Sequence, residues 1–328
     1  MGGGGESRDG MRMESARLIR AALLIVLVLL AALPSETVYT VTAQVTRTPA
    51  VRHRRHRGQA PRHRRRRHSS SAGRPVGASA PAPRLLWSDE FNGPAGAPPN
   101  PAKWEVLRGG NGWGNRELEY YTGRPSNVAL DGAGHLAITA RHEVYRGGDG
   151  VIRSYTSARL QTEGLFQTTY GKIEARIKVP AARGLWPAFW ALGYDIDSVG
   201  WPASGEIDVM ENIGSDPFTI YGSIHGPQPG SMRGYALTAI ARSRASLAAG
   251  YHIYGVTWSP NRIVFTLDGV PYATRTRAGL SAGREWVFNK PFFLLLDMAV
   301  GGTWPGRPSA TSRLPATMLI DWVRVYAS

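Results

Sequence analysis

The stretch Gly205-Glu206-Ile207-Asp208-Val209-Met210-Glu211-Asn212-Ile213-Gly214 holds the residue types best suited to chemistry. Glu206, Asp208 and Glu211 are set among Ile207, Val209, Met210 and Ile213, with glycine at either end. So short an apolar-rich segment between glycines reads as a strand. On a strand, Glu206 and Asp208 share one face while Ile207 points behind them. Strict alternation would then send Glu211 into the core, where an unpaired carboxylate is costly. One extra residue at Val209-Met210, a β-bulge, returns Glu211 to the face of the other two acids. Two outer carboxylates in such a row can divide a glycosidic cleavage between them. One attacks the anomeric carbon and the other protonates the leaving oxygen; direct attack with retention needs them about 5–5.5 Å apart. The middle acid, crowded by like charges, is expected to keep a proton or a hydrogen bond and to hold its neighbours' proton affinities apart. The spacing alone fits a solvated acidic strand with no chemistry equally well, because short E-x-D-x-x-E matches arise by chance.

The elements that must position these acids are strands. His135 to Ala140 alternates, with Leu136 and Ile138 on one side. Lys172 to Val179 places Ile173, Ala175, Ile177 and Val179 inward and Lys172, Glu174, Arg176 and Lys178 outward. Tyr251 to Trp258 and Arg262 to Leu267 form a strand pair joined at Ser259-Pro260-Asn261, and Asp268-Gly269 marks a second hairpin turn. Phe292 to Met298 reads as a central strand covered on both faces, and Met318 to Tyr326 as a closing strand. Arg242 to Ala249 is either a short helix or a loop. Many strands without a sustained helical period predict an all-β, two-sheet sandwich.

Segments along residues 85–328 together resemble glycoside hydrolase family 16, most closely its bacterial laminarinase branch of endo-β-1,3-glucanases. They include Trp87-Ser88-Asp89-Glu90-Phe91-Asn92-Gly93, Trp113-Gly114-Asn115-Arg116-Glu117-Leu118-Glu119-Tyr120-Tyr121-Thr122 and Tyr170-Gly171-Lys172-Ile173-Glu174-Ala175-Arg176. The others are Gly184-Leu185-Trp186-Pro187-Ala188-Phe189-Trp190, Ser223-Ile224-His225-Gly226-Pro227, Ala299-Val300-Gly301-Gly302-Thr303-Trp304-Pro305-Gly306 and Ile320-Asp321-Trp322-Val323-Arg324-Val325-Tyr326. The resemblance implies a β-jelly roll whose concave sheet forms a substrate cleft. It also implies Glu206 as nucleophile, Glu211 as general acid/base and Asp208 as the auxiliary acid.

Trp186, Trp190, Trp201 and Trp304 have two readings, core packing or stacking against the apolar faces of sugar rings. The resemblance favours the cleft, most clearly for Trp201. Trp87, Trp104, Trp258 and Trp322 read as structural. Asn115 and Arg176 lie in segments that the resemblance brings to the cleft, where amide and guanidinium groups suit sugar hydroxyls. His225 would bond either a substrate hydroxyl or Asp208. No cofactor is expected for catalysis. The resemblance further implies a structural Ca²⁺ held by Glu90, Gly134 and Asp321, stapling the two ends of the domain.

The chain has 328 residues, no cysteine and a formal net charge of +15. Disulfides and cysteine-based metal or nucleophile chemistry are therefore excluded. Arg17 and Arg20 precede an apolar run from Ala21 to Leu33, which reads as a secretory signal over 1–43 with cleavage after Ala43 or nearer Ala32. An uncleaved N-terminal anchor is the alternative. Residues 44–83 read as a disordered linker, rich in Arg and His from Arg47 to Pro75 and in Ala and Pro from Val76 to Pro83. Its arginines suit polyanions or serve simply as a solvated spacer. Over 76–328 the charges nearly balance, 24 basic against 20 acidic side chains, so nucleic acid is not an expected partner of the folded domain. The catalytic domain over 84–328 is expected to be secreted and monomeric, with a β-glucan as partner.

Overall fold

A computed structural model of the chain describes residues 83–328 and the two-residue strand Tyr39–Thr40. The expected export signal, apart from those two residues, and the linker through residue 82 lie outside the described residues. Eighteen strands are described. They are β1 (Tyr39–Thr40), β2 (Leu85–Asp89), β3 (Glu105–Leu107), β4 (Glu119–Tyr121), β5 (Val128–Leu130) and β6 (Leu136–Arg146). Then come β7 (Ile152–Ser157), β8 (Arg159–Gln161), β9 (Gly171–Lys178), β10 (Leu185–Gly193), β11 (Glu206–Glu211) and β12 (Thr219–Gln228). The last are β13 (Ser231–Arg242), β14 (His252–Ser259), β15 (Arg262–Leu267), β16 (Val270–Thr276), β17 (Phe292–Val300) and β18 (Ala316–Tyr326).

One sheet runs β1-β13-β12-β11-β10-β17-β8-β3, and the other β16-β15-β14-β9-β18-β6-β7-β4, with β2 on β18 and β5 on β6. Their facing sides make one core. Ile173, Ala175 and Ile177 of β9 and Val256 and Trp258 of β14 pack within the same buried cluster as Phe189, Ile207, Val209, Met210, Leu294 and Leu296. The alternation read from Lys172 to Val179 is thus the alternation of a strand with one buried face. Every residue of β17 is buried. Phe292, Leu294, Leu296 and Met298 enter the sandwich, while Phe293 and Leu295 join Leu192 in a smaller cluster on the opposite face. That opposite face, where Trp190, Ile196 and Trp201 also pack, is the floor of the cleft.

The Asp268-Gly269 turn has φ of 51° and 76° at its two central residues, the left-handed pair a tight hairpin needs. The Arg242 to Ala249 segment ends in a three-residue 3₁₀ turn, Leu247–Ala249, with Ser246 accepting from the Ala248 amide. A one-turn helix, Ile196–Val199, carries no apolar periodicity and was invisible to pattern reading. Among the described residues no helix is long and apolar enough to cross a membrane.

The acid-bearing strand is bulged at the predicted place. Asp208 pairs with Ser223 but Glu211 with Tyr221, and on the other side Trp190 pairs with Asp208 but Phe189 with Met210. Val209 and Met210 therefore both enter the core, each fully buried. Deleting Val209 should remove the bulge and leave Glu206, Asp208 and Glu211 on one face by strict alternation, with Met210 alone entering the core between Asp208 and Glu211. The expected result is retained catalysis with a melting temperature lower by roughly 4–8 °C, the equivalent of about 2 kcal/mol for one lost buried side chain in a domain of this size. A folded variant without activity would show that the extra residue does more than set the face Glu211 takes.

Candidate active site

Strand register alone lays out the cleft floor, because directly paired residues face the same side. One row reads His225, Glu206, Leu192, Phe293 across β12, β11, β10 and β17. The next reads Ser223, Asp208, Trp190, Leu295, Gln161, Glu105, ending on β8 and β3. A third reads Tyr221, Glu211, Ala188, Asp297, Arg159. All three sequence-predicted acids thus sit on one face of one sheet. Gly205, with φ of 77° and no room for a side chain beside Val287, turns the chain into this strand.

Each outer acid receives an indole donor. Trp201 Nε1 donates to Glu206 Oε2 at 2.9 Å, and Trp186 Nε1 donates to Glu211 Oε1 at 3.0 Å. Such bonds hold a carboxyl group in one rotamer. His225 Nε2 lies 2.9 Å from Asp208 Oδ2 and 3.8 Å from Glu206 Oε1. The contact with Asp208 falls outside hydrogen-bond geometry, leaving that buried oxygen without a protein hydrogen-bond partner. Burial pushes Asp208 well above the usual carboxylate range, and the charges of Glu206 and then Asp297 add to the effect. Glu211 is raised in the same way, by burial first and by Asp208 next, with His225 opposing. Both acids are therefore biased toward their protonated forms, the bias a proton-donating acid requires.

The aromatic predictions hold together in space. Trp186 and Trp304 meet edge to face at 5.3 Å, and Tyr221 packs on Trp304 at 4.7 Å. Trp190 donates to Asp297 Oδ1 at 2.6 Å. Trp186 and Trp190 are both half-buried on the cleft side, and Phe189 between them fills the core. Asn115 lies at the same end of the cleft, its carbonyl accepting from Thr303 and its amide donating to Glu117 Oε1 at 3.1 Å. Trp104 and Trp258 are buried, Trp87 stacks on Phe166, and Trp322 lies under Arg324, in keeping with structural roles.

Arg176 does not reach the cleft. It stands on the outer face of β9, in the other sheet, ion-paired with Asp321 and stacked over Tyr251 at 4.6 Å. The strand alternation that buries Ala175 and Ile177 forces it outward. The guanidinium in the cleft is Arg159, held between Trp113 at 4.7 Å and Trp190 at 4.6 Å. Sequence reasoning missed Arg159, Glu117, Tyr121 and Asp297. The available signal was Asp297 itself, a lone acid inside an apolar run. Arg159 carries no local signal.

The expected calcium ligands are only partly suited to a cation. Arg324 grips the Glu90 carboxylate at 3.0 and 2.7 Å, and Arg176 takes Asp321 Oδ2. A cation would have to use Asp321 Oδ1 and the main-chain carbonyls of Glu90 and Gly134, an oxygen set that suits calcium in kind. Glu206, Asp208 and His225 also bring one ligand atom each within 4.8 Å of one another. The raised proton affinity of Asp208 and the indole donor on Glu206 make that a poor cage for a cation.

The profile of Glycosyl hydrolases family 16 matches residues 117–324. The chain belongs to that family. The endo-β-1,3-glucanase from Pyrococcus furiosus superposes with a TM-score of 0.69 at 42% identity, covering 74% of this chain and 94% of that one. The laminarinase catalytic domain from Thermotoga maritima MSB8 gives 0.68 at 40% identity, covering 75% and 98%. A β-glucanase from Rhodothermus marinus is 39% identical over 254 residues, 75% of this chain and 86% of its own. The chain is thus a glycoside hydrolase with the family 16 sandwich.

Burial and the nearby Asp297 charge push Glu117 up to about 7. The folded protein then keeps a proton that the unfolded chain releases near pH 4.5, so stability should fall as pH rises from about 4.5 through 7. Glu117→Gln should remove on the order of 2 kcal/mol of that decline between pH 5 and pH 8, read from denaturant melts at both values. Equal declines in the two proteins would contradict the buried proton.

Proposed function

We propose that the chain is a secreted, retaining endo-β-1,3-glucanase acting on laminarin-type polysaccharide. The observation that carries this is the pair Glu206 and Glu211 on one cleft face, each oriented by its own indole donor across a single bulge. The names of the Pyrococcus and Thermotoga relatives support the linkage.

Trp201 occupies Glu206 Oε2, which leaves Oε1 for attack on the anomeric carbon. Glu211, holding its proton by burial, gives it to the glycosidic oxygen as the bond breaks. A glycosyl ester forms on Glu206 and the aglycone leaves with that proton. Glu211, now ionised, takes a proton from water, and the hydroxide adds to the anomeric carbon and frees Glu206. Asp208 stays neutral between them and orients Glu206, with His225 beside it. Trp186, Trp190 and Trp304 offer faces and edges for the sugar rings, and Asn115 and His225 offer polar contacts for hydroxyls.

Glu206→Gln should lower kcat on the order of 10³-fold or more while glucan binding stays measurable. A reducing-sugar assay on laminarin, lichenan and agarose checks both this and the linkage. Near-normal turnover in the variant would sink the nucleophile assignment. Cleavage of lichenan or agarose in preference to laminarin would reassign the substrate, and binding without cleavage by the wild type would make the chain a glucan-recognition protein. Export rests on the signal read over 1–43, and N-terminal sequencing of protein from the medium checks it.

A calcium ion on Asp321 Oδ1 and the Glu90 and Gly134 carbonyls is part of the same proposal, as a staple between chain ends. Chelation should then lower the melting temperature by roughly 5–10 °C, the equivalent of a site filled at about 100 times its Kd. An unchanged melt in chelator disposes of the ion.

A further inference from the structure

A second group of acids lies beside the catalytic strand, at the Asp297 end of the cleft floor. Glu117, Glu119 and Asp297 are 5%, 0% and 6% exposed, and Tyr121 among them is fully buried. Tyr121 Oη lies 3.0 Å from Glu117 Oε2 and 3.3 Å from Asp297 Oδ2. A phenol has one hydrogen to give. With both carboxylates ionised, one of them would face only a lone pair at close range in a water-poor site, which is strongly unfavourable. One acid must therefore carry a proton and donate it to the phenol oxygen, while the phenol donates to the other. Asn115 and Glu119 complete the shell around Glu117.

The network is connected to the catalytic residues at Asp297. Its Oδ1 accepts from Trp190, and its row in the sheet runs Glu211, Ala188, Asp297, so only an alanine methyl separates it from the proton donor's position. The charged and titratable groups acting on Asp297 are Glu117 and Tyr121 from β4 and the turn before it, Arg159 from β8, and Glu206 and Asp208 from β11; Glu119 adjoins Glu117 and Tyr121, and Glu211 lies across Ala188 in the same row. Trp190 faces it from β10.

We infer that Asp297 is a positioning residue for the hydrolysis, anchoring Trp190 on the cleft floor and, through the one hydroxyl of Tyr121, sharing a proton with Glu117. Its negative charge helps Asp208 keep its proton and, one alanine away in the row of Glu211, adds to the negative field there, and the shared proton sets how much of that charge they meet. This rests on the assignment of Glu206 and Glu211 given above.

The test is kcat/KM on laminarin against pH for the full chain and two variants, with the melting temperature of each. Asp297→Asn can still accept from Trp190 and donate to Tyr121, so it removes charge and keeps shape. Tyr121→Phe removes the shared hydroxyl and, by withdrawing a donor, leaves Asp297 less ionised. In Asp297→Asn the alkaline limb should move to lower pH by about half to one unit, with a smaller move the same way in Tyr121→Phe. A limb within about 0.2 unit of wild type in either folded variant overturns the inference, and a lowered melting temperature with an unmoved profile marks a structural role only. Failure of the parent reading is distinct, since Glu206→Gln would then keep its turnover.

Discussion

One extra residue in β11 governs the chemistry of this protein. A sheet offers a strand two faces, and three acids over six residues cannot share one of them without breaking the alternation. The bulge breaks it once, sending both Val209 and Met210 inward and Glu211 back toward the cleft. Two fully buried apolar side chains anchor the irregularity, so the acids are aimed by core packing. The indole donors of Trp201 and Trp186 then act on carboxylates already facing the right way.

Burial, more than pairwise charge, decides which acids hold protons. It is the foremost cause of the raised proton affinity at Asp208, Glu211, Glu117, Glu119 and Asp297 alike. Neighbouring carboxylates deepen the effect, while Arg159 counteracts it at Asp297 and Glu117. The apolar floor of Leu192, Phe293 and Leu295 keeps this half of the sheet poor in water. The loop that carries Trp201 is tied down by Lys290, which bonds Asp195 at 2.7 Å and the Ala203 carbonyl at 3.2 Å. Both donors and acids are thus fixed before any sugar arrives, which favours transition-state charge over ground-state rearrangement.

The outer sheet follows a different electrostatic rule. Its acids are paired with basic side chains, Glu90 with Arg324, Asp321 with Arg176 and Glu174 with Lys172, and its half-buried Tyr251 and Trp322 carry guanidinium groups over their faces. Acids on that face are neutralised by basic partners, whereas burial pushes Asp208, Glu211, Glu117 and Asp297 in the cleft toward their protonated forms. The same residue type therefore does chemistry on one face and structure on the other.

Much of this was legible in the sequence. The bulge followed from the cost of burying Glu211, the inward row of β9 from its alternation, and the Asp268-Gly269 turn from its residue types. The cleft tryptophans followed from the family resemblance, which also misplaced Arg176. Local pattern reports which side of a strand a residue takes but not which sheet the strand joins. Arg176 and Arg159 both alternate outward from the core, and only the packing of β9 in one sheet and β8 in the other separates a surface ion pair from a cleft guanidinium. The meeting of Glu117, Tyr121 and Asp297 was likewise beyond reach, since 176 residues separate Tyr121 from Asp297. The order of residues by itself determined the strands, the bulge and the three acids, because those depend on neighbours in the chain. Only the folded sandwich decided which acids are pushed toward their protonated forms and which arginine enters the cleft, because burial and charge are set by groups that the chain brings together from afar.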